Sequence, residues 1–121
     1  MGNHLQIKRI YIPAEETDGY RVLVDRLWPR GVSKARAALD EWNKEVTPTP
    51  DLRKWFGHKA ERFSEFNERY LFELNQNHAA FDFATKINDL LKSQNVTLLY
   101  AARDPEINHA IILKDWIEKH E

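Results

Sequence analysis

Apolar and polar positions alternate along residues 5–12 (LQIKRIYI). Leu5, Ile7, Arg9 and Tyr11 fall on one side; Gln6, Lys8, Ile10 and Ile12 fall on the other. A period of two predicts a strand, ended by Pro13. Residues 13–19 (PAEETDG) are polar and carry a turn signature at Asp18-Gly19. Residues 20–28 (YRVLVDRLW) form a near-continuous apolar run, the pattern of a strand covered on both faces. A connection this short favours a hairpin, because parallel neighbours ordinarily need a longer crossover.

The period then changes. Within PRGVSKARAALDEWNKEV (29–46), Ser33 is a helix N-cap and Ala35, Ala38, Leu39 and Trp42 form an apolar stripe. Pro48 and Pro50 end that helix, and residues 52–59 (LRKWFGHK) predict one short helical turn broken at Gly57. Residues 60–77 are the clearest helix, with Phe63, Phe66, Tyr70 and Leu74 at three-to-four spacing; 79–93 repeat the pattern with Ala80, Phe83, Ala84, Ile87, Leu90 and Leu91. Residues 95–102 (NVTLLYAA) predict a second buried strand. Residues 105–120 predict a last helix, with Asp104 as its N-cap and Pro105 at its first position. The order β, β, α, short α, α, α, β, α describes an α/β layered domain.

Composition narrows the classes. A chain of 121 residues, 42% apolar and 31% charged, suits one compact domain over 1–121. A net charge of −1 gives no overall attraction to DNA or anionic membrane. The absence of cysteine excludes thiol nucleophiles, thiolate metal sites and disulfides. The opening MGNHLQIKRI lacks a signal-peptide layout and no run is long enough for a membrane helix, so the expected compartment is the cytoplasm. His4, His58, His78, His109 and His120 never fall three to five apart, so no metal is expected. Without GxGxxG, GxxxxGK[ST] or GxSxG, no cofactor is expected and a P-loop or serine-elbow reaction has no support.

Candidate chemistry gathers where the two core strands end, the position at which open α/β sheets bind ligands. The first ends in DRLWPRG and the other in ARDPEINHA. Arg103 and Arg30 are candidates to grip an anion, with Arg26, Asp104 and Asn108 beside them. Asp25 and His109 are candidate general acid or base, and Trp28 a stacking face. Arg53 and His58, interleaved with aromatics before and after Gly57, are candidates for a lid. Each has a plainer reading: Asp25 paired with Arg26 or Arg103, Asp104 only a cap, Trp28 a core residue, His109 a satisfied core histidine, and LRKWFGHK a surface turn.

The blocks IKRIY, DGYRVLVDRLWPRGVSK, LDEWNKE, LRKWFGH, F..RY..EL and VTLLYAARDPEINHAIIL resemble the YeaO-like family of small bacterial proteins, a domain of unknown function, over residues 7–113. The resemblance implies a Rossmann-like α/β sandwich with a small, mainly parallel sheet of about three strands flanked by helices. It implies that PAEETDG is the remnant of a helix between parallel strands, against the hairpin. It also implies that Asp25, Arg26, Pro29, Arg30, Arg103, Asp104, Asn108 and His109 occupy motif positions, and it supplies no established activity. The expected function is binding, or acting on, a small anionic, nucleotide-like ligand at the carboxyl ends of the strands. The alternative is a non-catalytic module for nucleic acid or protein, and a third reading makes the charged strand exits an ion-pair network only. No membrane partner is expected.

Overall fold

The computed structural model describes residues 2–120. Its centre is one sheet of four parallel strands: β1 (Leu5–Arg9), β2 (Tyr20–Leu23), β3 (Glu41–Trp42) and β4 (Val96–Tyr100), in the spatial order β1-β4-β2-β3. The hairpin suggested by the short first connection is not formed. β1 and β2 each pair with β4, in the registers Ile7↔Leu98 and Val22↔Leu98, so the last strand lies between the first two. The sheet has four strands rather than three, and the first two are shorter than the runs that contain them: β1 ends at Arg9 and β2 at Leu23.

The helices are α1 (Lys34–Ala37), α2 (Pro50–Phe56), α3 (Phe63–Asn75), α4 (His78–Leu90) and α5 (His109–Glu118). On one face of the sheet, Val22, Val24, Val96, Leu98 and Tyr100 pack against the apolar stripes of α3, α4 and α5, among them Phe66, Tyr70, Ile87, Leu113 and Ile117. Each such large side chain contributes about 1.5–3 kcal/mol by leaving water, so this layer dominates the stability. The other face is thinner. Ile10, Leu23, Val32, Ala37 and Leu99 form a second cluster, edged by Tyr11, Trp28 and Trp42.

That second face also carries a buried polar knot. Asp18 and Arg21 are each 4% exposed. The Asp18 carboxylate takes Lys8 Nζ at 3.0 Å and pairs with Arg21, while Arg21 Nη2 donates to the Ala37 carbonyl at 2.7 Å. The crossover from β1 to β2, a 3-10 turn over Glu16–Asp18, is fastened by these bonds. Gly19 follows at φ 65°, and a Cβ there would lie 2.0 Å from the Asn95 carbonyl oxygen. Only glycine lets the crossover pass so close to the start of β4.

Two helix expectations fail for local reasons. The stripe Ala35, Ala38, Leu39, Trp42 does not make one helix over 33–46. Ser33 does cap α1, its Oγ accepting from Arg36 N at 3.1 Å, but Ala38 is left-handed at φ 48° and ends it after four residues. Glu41 and Trp42 then join the sheet beside β2. The last helix begins at His109, not at 105. Its N-cap is Asn108, whose Oδ1 accepts from Ile111 N at 3.1 Å. Asp104 instead holds the preceding turn, its Oδ1 accepting from Glu106 N and Ile107 N. Among the described residues no helix is long and apolar enough to cross a membrane.

Candidate functional site

β2 and β4 end side by side, and the chain leaving each passes over the rim of the sheet. Asp25 stands just past β2; Ala101 and Ala102 stand just past β4; His109 opens α5. Asp25 Oδ2 accepts from Ala101 N at 2.9 Å, which ties the two strand exits together. Asp25 Oδ1 lies 3.3 Å from His109 Nε2, and the same nitrogen donates to the Val24 carbonyl. Asp25 thus holds Oδ2 on a backbone N–H and sets Oδ1 against the imidazole edge, surroundings that suit the ionised form. Nε2 faces two acceptors and carries the ring proton. The lone pair belongs to Nδ1 when the imidazole is neutral.

Burial pushes the His109 imidazole below its ordinary 6.5, against the opposing pull of the Asp25 carboxylate and the Val24 carbonyl. Burial likewise pushes Asp25 above its ordinary 3.8, opposed by His109, the Ala101 amide, Arg53 and His58. The ring packs edge-on to Tyr70, with centroids 6.2 Å apart. Asp25 therefore pairs with neither Arg26 nor Arg103; its partner is a histidine from the other strand exit.

A cavity of about 520 Å³ opens over this pair. Its polar wall is Asp25, His109, Arg53, His58, Arg103 and Asp104; Ala101, Ala102 and Ile107 complete it. A narrower recess of about 60 Å³ continues beneath, where Pro48, Phe56 and Phe66 meet the same Arg53, His58 and His109. Arg53 comes from α2. Gly57, at φ 51°, turns the chain back after that helix, and His58 follows at φ 58°. A left-handed histidine is uncommon, and here it brings the imidazole round to the cavity. Among the described residues neither Arg53 nor Arg103 has a carboxylate within ion-pair distance.

The predicted residues thus divide. Asp25, His109, Arg53, His58, Arg103 and Asp104 converge on the cavity. Asn108, 1% exposed, borders the recess while capping α5. Arg26, Trp28 and Arg30 do not converge. After Asp25 the chain turns toward the other face of the sheet. Trp28 Nε1 donates to the Val32 carbonyl at 2.6 Å, and the ring packs edge-on to Trp42, so the indole is a packing residue and no stacking platform. Arg30 is exposed in the next turn, its carbonyl accepting from Tyr11 Oη. Arg26 reaches the Pro48 carbonyl at 3.3 Å and borders a different hollow, with its Nε–H buried and unpartnered among the described residues. Phe56 and Phe66 had no signal beyond their apolar stripe, and Pro48 read only as a breaker. Among the described residues no group of three or more His, Asp or Glu side chains could hold a metal ion.

The comparisons with known proteins agree with one another. The family described as "Inactive DUF488-N3 subclade" matches residues 4–121. The chain is 48% identical to the uncharacterized protein YeaO of Escherichia coli, over 94% of this chain and 96% of that one. It is 37% identical to the uncharacterized proteins Mb3100c of Mycobacterium bovis and Rv3073c of Mycobacterium tuberculosis, over 90% of this chain and 89% of each relative. No solved structure matches. The chain belongs to the inactive DUF488-N3 subclade, a YeaO-like domain of unknown function.

Proposed function

We propose that the chain binds a small anionic, nucleotide-like ligand in the cavity at the carboxyl ends of its strands. The observation that carries this reading is the pair of guanidiniums, Arg53 and Arg103, on one concave wall with no carboxylate partner among the described residues. A guanidinium forks onto phosphate or carboxylate oxygens, and both Arg53 and Arg103 stand exposed at the cavity wall, open to an entering anion. The cavity volume falls within the range of small-molecule sites. His58 adds a third group able to donate.

Binding, rather than turnover, is the role favoured by the description of the family as inactive. The observation that favours catalysis is the Asp25–His109 pair, in which a carboxylate orients a neutral imidazole as a general base requires. Hydrolysis or group transfer at a glycosidic or phosphoester bond is the chemistry such a pair would serve. The alternative of a nucleic-acid module draws on the same arginines but has a concave site, an overall charge of −1 and no stacking tryptophan against it.

Thermal unfolding tests the reading. Inorganic phosphate, ribose phosphate, nucleoside monophosphates and short single-stranded DNA are added to the protein and to its Arg53→Ala and Arg103→Ala variants. A ligand at about 100 times its Kd adds roughly 2.7 kcal/mol, several degrees for a chain of this size. The expected result is a rise with one or more small phosphates that either variant reduces. A rise with DNA alone, or none at all, overturns the proposal. Product formation by the bound compound moves the site to the catalytic reading.

A further inference from the structure

The cavity has a mixed grammar of donors and acceptors. Arg53 and Arg103 only donate. His109 is different, because its Nε2–H is already committed to the Val24 carbonyl, with the Asp25 carboxylate 3.3 Å away. The ring borders both the cavity and the recess. Its other nitrogen, Nδ1, is not among the buried and unpartnered side-chain atoms of the described residues, and it makes no hydrogen bond to them. That nitrogen is left without a partner among the described residues in a ring that borders the cavity, and in the neutral ring it can only accept. Asp25 is the poorer acceptor for a ligand's hydroxyl hydrogen, because its Oδ2 takes the Ala101 N–H and its Oδ1 faces the His109 Nε2 edge at 3.3 Å.

We infer that the preferred ligand is a phosphate monoester carrying a free hydroxyl, with Arg53 and Arg103 taking the phosphate and His109 Nδ1 accepting from the hydroxyl. This rests on the anion-binding reading above and names the class of anion within it. Two guanidiniums match a phosphate, which carries about −1.5 to −2 charge near pH 7, better than a singly charged carboxylate. A ligand that presents only acceptors leaves the Nδ1 of a largely buried ring without a donor, a loss that a hydroxyl removes. The fixed ring tautomer makes His109 the residue that sets specificity, and Asp25 the positioning residue that fixes the tautomer.

The same chemistry is offered by free polyol phosphates and by the ribose of nucleotides, so the test uses a matched pair from each. Glycerol phosphate is compared with propyl phosphate, and adenosine monophosphate with its dideoxy analogue, by calorimetric titration. The hydroxylated member of at least one pair is expected to bind about tenfold more tightly, the worth of one well-placed hydrogen bond. Which pair discriminates identifies the source. In His109→Phe the ratio of the two affinities is expected to fall to near one. Because that variant removes a buried hydrogen bond and can fail to fold, the nitrogen resonances of the wild-type ring supply a second readout. Nε2 is expected protonated in the free protein, and the Nδ1 resonance is expected to move with glycerol phosphate and stay with propyl phosphate.

Equal affinities within both pairs overturn the inference and leave anion binding standing. An Nδ1–H tautomer in the free protein overturns it as well. A protein that binds neither member of either pair overturns the inference together with the reading beneath it.

Discussion

Asp18 holds more of the thin face of the sheet than its size suggests. It receives Lys8 and Arg21 together, and its Oδ2 accepts from the Glu15 amide at 3.0 Å. Burial alone would raise its carboxyl, yet that amide and the two cations win and hold it below its ordinary 3.8. Asp18→Asn leaves Arg21 charged, buried and short of its counter-ion, so a loss of about 3–5 kcal/mol is expected in urea unfolding. The pH dependence follows from the direction of the shift. A carboxyl with a depressed folded value contributes stability above pH 3.8 and loses it as pH falls through the folded value. The variant should therefore lose the acid-sensitive part of the urea midpoint that wild type shows. The sequence marked Asp18 only as a turn residue beside Gly19. Its three partners lie on β1, the crossover and β2, and no local pattern announces a junction of that kind. Asp25 was legible as a strand-exit carboxylate, but its pairing with His109 was not, because the two meet only when β2 and β4 lie adjacent.

Elements with a long repeated period were legible; those ended by a single backbone angle were not. α3 and α4 appear within a few residues of where the stripes of Phe66, Tyr70 and Leu74, and of Phe83, Ala84 and Ile87, put them. The segment 33–46 was misread because Ala38 and Leu39 fit a helical stripe, while the left-handed turn at Ala38 falls on a residue that usually favours helix. A substitution separates the two descriptions. Ala38→Gly relieves the positive φ, worth about 1–2 kcal/mol, against about 0.4–1 kcal/mol of added freedom in the unfolded chain. The variant is expected to be equal to wild type or more stable, by up to about 1.6 kcal/mol. In a continuous helix the same change would lose about 1 kcal/mol, so a loss of that size in a denaturant titration contradicts the strand arrangement. The lid segment was half legible. Its arginine and histidine were visible, but only the consecutive left-handed residues Gly57 and His58 show how both come to one wall.

At the scale of the molecule the cavity exists because the sheet interleaves distant parts of the chain. Asp25 follows the second strand, Arg53 and His58 belong to the long excursion after the third, and Arg103 and His109 to the segment after the fourth. A chain ended after Asn95 keeps β1, β2 and the α2–α4 segment in its sequence but has no strand to join them. Hydrogen exchange on it is expected to show no slow amides at Ile7 or Val22, both of which pair across β4 in the complete sheet. Protection at those amides would mean that the first two strands find one another directly. The central place of β4 also bears on how the molecule is made. A ribosome delivers β1 and β2 early, side by side along the nascent chain; β2 meets β3 at residues 41–42, but β1 and the other edge of β2 stay open until residues 96–100 emerge. Completion of the sheet then waits for nearly the whole described chain, which leaves the apolar stretches 5–12 and 20–28 exposed in the meantime and makes them the segments a chaperone would be expected to shield.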